Sequence, residues 1–188
     1  TAGFWRNLLA GTSAIHEILS VDTSQIRFKH AAEIRNYIPE EHFEAKDIAF
    51  MDRFAQFAVL AAREAVADAG IEWTPALRET TAVITGSCLG GRAAEESGYW
   101  ELFHNGKSRV HPLTIPLSMS NAGASHICMQ FGIEGPAYTI STACASSNHA
   151  IGQAFWMVLS GAALVAIAGG SEAPFLLGGR KAWEAMSV

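Results

Sequence analysis

From Met51 onward the chain alternates between two spacings of apolar residues, and each predicts a different element. The stretch MDRFAQFAVLAAREAVADAG carries apolar residues at Phe54, Phe57, Ala58, Ala61, Ala65 and Ala69, with Asp52, Arg53, Gln56, Arg63, Glu64 and Asp68 mostly elsewhere. Returns every three or four residues predict an amphipathic helix, and Gly70 fits the left-handed position just past its end. Short β-branched runs predict buried strands: TTAVITG from Thr80 to Gly86, YTIS from Tyr138 to Ser141, and LVAIAGG from Leu164 to Gly170. Between them the pattern predicts helices around Arg92 to Phe103, from about Pro116 to Phe131 with the proline in the first turn, and from Cys144 to Ser160. In the last of these, Ile151, Ala154, Phe155, Val158, Leu159 and Ala162 recur at helical spacing and predict one buried stripe. Strands alternating with helices of this length predict an α/β fold, a mostly parallel sheet with helices on both faces. The first 50 residues are the least regular part.

Composition narrows the classes. With 188 residues, 49% of them hydrophobic and 16% charged, the chain is long enough for one domain with a real core, and no repeat, low-complexity tract or linker divides it. The expectation is a single domain over residues 1–188. Thirteen Lys and Arg against 18 Asp and Glu give a net charge of −5, which offers no electrostatic case for nucleic acid or an anionic membrane as partner. No apolar run reaches the roughly 18 residues of a membrane span, and TAGFWRNLLAG lacks the features of a secretion signal, so a cytoplasmic location is expected.

The cysteines Cys88, Cys128 and Cys144 are odd in number and far apart, without CxxC spacing, so neither a disulfide framework nor a zinc site is expected. His126 and Cys128, two residues apart, would point to different faces of a helix, which argues against a shared metal. GSCLGG follows a strand but has neither GxGxxG nor Gly-Lys-Ser/Thr, so it reads as a tight loop and no nucleotide site is assigned. No cofactor is expected.

Cys144 is the residue with candidate chemistry. In an α/β sheet, ligands gather at the carboxyl ends of strands, where following helices present free N–H groups. A strand ending near Ser141 would put Cys144 in the first turn of the next helix, where the helix field favours a thiolate. Its neighbours Ala143, Ala145, Ser146 and Ser147 are small enough to admit a substrate, and local N–H groups would face an oxyanion formed by attack on a carbonyl. A free cysteine at a tight junction is equally well a compact buried residue, and position alone leaves both readings open. His149, five residues on, lies roughly 140° round the helix and is badly placed to be its base. It reads as a packing or surface histidine.

GPAYTISTACASSNHAIGQA followed by LVAIAGGSEAP resembles the active-site segment of the β-ketoacyl-ACP synthases of fatty-acid and polyketide synthesis, elongating type, within the thiolase superfamily. FWRNLLAGTSAI, MDRFAQFA, ITGSCLGG and IPLSMSNAGASHICMQFGIEGP occur in matching order, so the resemblance covers essentially the whole chain. Polyketide-synthase modules read nearer TACSSS at this place, which favours the elongating type. The resemblance implies the N-terminal half of a thiolase-like fold, with Cys144 taking an acyl group from acyl carrier protein as a thioester. Malonyl-ACP would then decarboxylate and its carbanion attack that thioester. The Cys144 N–H would form half of the oxyanion hole, Leu89 would line the acyl pocket, and Thr114 and Ile115 would close a partner subunit's pocket across a homodimer. Thr114, small where bulkier side chains often stand, implies a pocket open to medium or longer chains.

The resemblance also marks departures. In complete synthases a second half brings two histidines, a lysine and a glycine-rich loop, and none of those segments occurs in the 188 residues. The expectation is therefore a half truncated at both ends that does not condense alone, the alternative being a non-catalytic partner like a chain-length factor. Such factors usually lack the cysteine. The basic cluster that precedes MD in the family is reduced here to Lys46 within EAKDIAFMD, so the resemblance does not assign the carrier's docking site.

Overall fold

The structure, a computed structural model, describes residues 2–174 and 176–186. In chain order its elements are α1 (Ala2–Leu9), β1 (His16–Glu17), β2 (His30–Ala31), a 3₁₀ turn (Pro39–Glu41), α2 (Ala45–Ile48), α3 (Arg53–Asp68), α4 (Pro75–Glu79), β3 (Thr81–Gly86) and α5 (Arg92–Tyr99). After a π-helical turn (Trp100–His104) follow α6 (Thr114–Ser118), α7 (Ala122–Phe131), β4 (Ala137–Ile140), α8 (Ser146–Leu159), β5 (Val165–Gly170) and α9 (Leu177–Ala185). These form two compact units, Pro39–Pro174 and one that joins the chain up to Ile38 with the C-terminal segment.

The larger unit is built on a parallel sheet of order β4-β3-β5. Every residue of β3 is buried, which is what a β-branched run without polar alternation predicts for a strand covered on both faces. Alternation along β3 sends Val83 into a cluster with Phe54, Ala55, Val59 and Ile127 from α3 and α7. Ala82 and Ile84 point the other way, against Ala150 and Ala154 of α8. Helices on both faces of a parallel sheet are thus as predicted.

Four details differ from the sequence pattern. The buried stripe of α3 is Phe54, Ala55, Ala58, Val59, Ala62 and Val66, while Ala61, Ala65 and Ala69 are exposed. Turning the valines inward removes more apolar area from water than turning alanines inward. Gly70 does take the left-handed conformation, with φ 62°. The helix expected from Pro116 to Phe131 is broken, because the Ser118 carbonyl accepts from the Gly91 N–H at 3.2 Å and Met119 turns extended at ψ 128°. Gly91 makes that contact possible, since a Cβ there would lie 1.9 Å from the Leu117 oxygen. The helix expected to reach Phe103 leaves α geometry at Tyr99 and continues as the π turn. In α8 the expected stripe is inverted: Ala154 is buried, but Phe155 is 59% and Leu159 62% exposed, with Ile151 and Val158 exposed beside them. The helix lies on β3 and β5 through Ser146, Ala150 and Ala154, small residues that let it approach the strands closely.

In the smaller unit β1 and β2 pair antiparallel, His16 opposite Ala31. Arg180 of α9 is fully buried there, donating from Nη2 to Glu33 Oε1 at 2.6 Å and to Ser20 Oγ at 2.8 Å. Glu33 also accepts from the Leu19 N–H at 3.0 Å and from the Ser20 hydroxyl. Burial on its own would raise the Glu33 carboxyl, but these donors and the Arg180 charge outweigh it and hold the pKa at about 2. Because the folded pKa lies below the ordinary 4.5, this pair stabilises the fold above that pH and the contribution fades as pH falls from 4.5 toward 2. Glu33→Gln is expected to destabilise the protein by about 3 kcal/mol at pH 7, leaving Arg180 buried beside a neutral amide. Urea denaturation of both proteins at pH 7 and in acid checks this, and the difference should shrink in acid.

Candidate active site

The register of the three parallel strands assembles the site. Gly86 stands opposite Ile140 on one side and Gly170 on the other, so the strands end level and the segments that follow them share one edge. The Ser87 N–H extends the ladder to the Ile140 carbonyl at 3.2 Å, and the Thr85 and Thr139 hydroxyls meet at 2.6 Å one step earlier. Cys88 and Leu89, Cys144, and Glu172 lie in those three following segments.

Gly86 is required by α8. A Cβ on it would fall 2.4 Å from the Ser146 carbonyl carbon and 2.5 Å from the Ser147 nitrogen, all backbone atoms with nowhere to go. Gly170 faces the same crowding, with the Gly86 oxygen at 2.8 Å and Ser147 Cβ at 2.9 Å from a Cβ built there. The N-terminal turn of α8 is therefore held directly against the strand ends.

Between β4 and α8 the chain makes a tight turn. Ala143 has φ 51°, the left-handed region that costs a residue with a Cβ roughly 1–2 kcal/mol. Ser146 holds the turn: its Oγ accepts from the Thr142 N–H at 2.9 Å and donates to the Ala143 carbonyl at 2.7 Å. Backbone bonds from Ala145 to the Thr142 oxygen and from Ser146 to the Ala143 oxygen, both 3.1 Å, close it. Cys144 follows Ala143 and is exposed. Its N–H has no hydrogen-bond partner among the described residues. Cys144 thus sits two residues ahead of the first helical residue rather than in the first turn as expected, because the chain spends Thr142 to Ala145 on reversing direction. The result is a nucleophilic atom and an open N–H donor presented together, which suits attack on a carbonyl.

Glu172 was not singled out by sequence reasoning, although it stands in GGSEAP two residues after β5 ends. Its Oε1 accepts from the Cys88 N–H at 2.5 Å and from the Leu89 N–H at 3.4 Å. Burial raises the Cys88 thiol above its ordinary range, and the Glu172 carboxylate beside it raises it further, with a smaller contribution from Cys144. Cys128, on α7, is raised by burial alone. His126 Nε2 lies 3.0 Å from the Phe50 carbonyl and burial lowers its pKa, so it packs α7 against the end of α2. No group of metal ligands occurs among the described residues.

The expected pocket residues are not all brought together. Leu89 is half-buried in the turn beside Cys88. Thr114 is buried and lines a cleft of about 780 Å³ with Ala94, Gly98, Arg109, His111 and Leu117, whereas its neighbour Ile115 turns out and is 68% exposed. His149 is exposed on α8, which decides between the packing and surface positions that the sequence left open. Lys46 is paired with Glu44 at 2.9 Å, so even the single cation before MD is partly neutralised.

A parallel sheet flanked on both faces, with a small-residue turn carrying a cysteine into a helix at its carboxyl edge, is the N-terminal half of a thiolase-like ketosynthase fold. The chain belongs to the family "Beta-ketoacyl synthase, N-terminal domain", which matches residues 1–188. It is 38% identical to nodulation protein E of Rhizobium sp. (strain N33), over 98% of this chain and 46% of that protein. It is 35% identical to 3-oxoacyl-[acyl-carrier-protein] synthase 2 of Staphylococcus aureus, over 90% of this chain and 42% of that protein. The solved structure of the ishigamide ketosynthase/chain length factor superposes with a TM-score of 0.87 at 26% identity, covering 99% of this chain and 46% of that one. The chain thus spans less than half the length of these relatives.

Two substitutions test the construction of the edge. Gly86→Ala should cost about 2 kcal/mol or more by forcing α8 off the strand, read as a lowered thermal midpoint. Ser146→Ala should cost about 2 kcal/mol through the two bonds it removes from the turn, with faster hydrogen exchange at Thr142 as the local sign.

Proposed function

We propose that Cys144 is the acyl-accepting nucleophile of a β-ketoacyl synthase. The Cys144 thiolate attacks the carbonyl of an acyl thioester on acyl carrier protein, the carbonyl oxygen's developing charge meets the Cys144 N–H, and the carrier's own sulfur leaves to be protonated as a thiol. Acyl-Cys144 is then the electrophile for the carbanion released when malonyl-ACP loses carbon dioxide. Condensation also needs hydrogen-bond donors to the charge that develops as malonyl-ACP loses carbon dioxide, a role that the resemblance gives to the histidines of a complete synthase's second half. Leu89 lines the acyl pocket, and Thr114 and Ile115 close the pocket of the partner subunit in a cytoplasmic homodimer, a role that the outward side chain of Ile115 supports.

The observation that carries this reading is the exposed Cys144 sulfur beside its own open N–H, on a turn strained at Ala143. Its likeness to 3-oxoacyl-[acyl-carrier-protein] synthase 2 supports the substrate class. A second reading, a chain-length-factor-like partner of a complete ketosynthase, is supported by the likeness to a ketosynthase/chain length factor structure. The presence of Cys144 weighs against it.

Incubation with acyl-ACP followed by peptide mass spectrometry separates the two. Acyl transfer should add one acyl mass, located on Cys144 and abolished by Cys144→Ala. A folded chain that acquires no acyl group, yet copurifies with a complete synthase, would support the partner reading instead.

A further inference from the structure

The edge that presents Cys144 also holds a second thiol. Cys88 lies two residues past β3 and Cys144 four past β4, and those strands end opposite one another at Gly86 and Ile140. The two cysteines therefore leave the same edge of the sheet from paired strands. Two neighbouring thiols invite acyl migration from one to the other, because transfer between thioesters is chemically even-handed and depends on which thiol ionises. Something must decide which of them reacts.

We propose that Glu172 is a positioning residue that keeps Cys88 a neutral, unreactive thiol, so that chemistry at this edge is confined to Cys144. Its carboxylate is delivered by the end of β5, the third strand of the sheet, and is fixed by accepting from the Cys88 and Leu89 N–H groups at 2.5 and 3.4 Å. Those bonds place a negative charge against the residue whose thiolate would otherwise form. The second oxygen, Oε2, is buried without a hydrogen-bond partner among the described residues. Around Cys88 the groups that act electrostatically are Glu172 after β5 and Cys144 before α8, both of which disfavour a thiolate there. No cation among the described residues opposes them, and the N–H of Cys88 itself is the one group that favours the thiolate. Burial of Cys88 works in the same direction. Cys144 is exposed and has no comparable carboxylate contact among the described hydrogen bonds. The same clamp sets the backbone of Leu89, so one side chain both shapes the turn and silences its thiol.

The purpose rests on Cys144 being the acyl acceptor, but the chemistry at Cys88 does not, which keeps the two separable by experiment. The 188-residue chain is treated with iodoacetamide across pH 7 to about 10, the range that brackets thiol ionisation, and alkylation of Cys88, Cys128 and Cys144 is followed separately by peptide mass spectrometry. Glu172→Gln keeps an acceptor of the same shape and removes the charge. Cys88 should then alkylate severalfold faster at pH 8, with its pH profile displaced to lower pH, while Cys128 stays as slow as in the parent. Glu172→Asp, which keeps the charge, should restore much of the protection. An unchanged Cys88 rate and profile in Glu172→Gln would overturn the proposal, and so would parallel acceleration of Cys88 and Cys128, which would mean that Glu172 merely holds the fold. The parent chain supplies a check that needs no variant: Cys88 must alkylate more slowly than Cys144 at pH 8, and the reverse order would also overturn the proposal.

Discussion

The absence of a side chain at Gly86 is the constraint on which the site depends. Three parallel strands that end level give an edge, but an edge alone leaves the following segments free to diverge. With hydrogen at Gly86 the backbone of Ser146 and Ser147 settles directly on the strand end, and with hydrogen at Gly170 the Ser147 side chain does the same. That contact fixes the start of α8, and with it the length of chain left between Ile140 and Ser146 to turn round. A span so short forces a sharp reversal, and the left-handed Ala143 is its consequence. The position of the Cys144 sulfur therefore follows from a packing distance one strand away, rather than from any contact made by Cys144 itself.

How much of this the sequence discloses depends on the kind of pattern involved. The strand β3 was legible because TTAVITG has no polar alternation and ends in glycine, and its parallel neighbours were legible from the helices between them. The face of α8 was not. That helix is apolar on two sides, alanines toward the sheet and Ile151, Phe155 and Leu159 away from it, so periodicity finds the larger residues and assigns them inward. The choice is made by approach distance to β3, which favours the smallest side chains and is invisible to hydropathy. In α3 the same ambiguity between an alanine stripe and a valine stripe was resolved by area, in favour of Val59 and Val66.

The break between α6 and α7 has a similar origin. Pro116 is a fair helix-start signal, but the Gly90 and Gly91 pair in GSCLGG lets another backbone come close, and the carbonyls of α6 fill that space. A loop glycine thus ends a helix about 30 residues away in sequence, a separation at which local pattern carries no information. Glu172 was missed for the same reason. Its role is defined by two N–H groups contributed from the loop after the neighbouring strand β3, about 84 residues earlier in the chain, and GGSEAP on its own gives no sign of them.

The turn at Cys144 shows how strain and order are reconciled here. A residue with a Cβ in the left-handed region is disfavoured, and it persists where surrounding bonds over-determine it. The Ser146 hydroxyl supplies two of those bonds, one to the residue before Ala143 and one to Ala143 itself, while the buried position of Ser146 under β3 keeps its rotamer fixed. Each bond contributes on the order of 1 kcal/mol, so the pair is of the same size as the backbone strain it opposes. A turn balanced in this way is rigid without being buried, and rigidity at an exposed sulfur is what a nucleophile needs: the thiol and its own N–H keep a fixed relation while both remain open to a carbonyl arriving from outside.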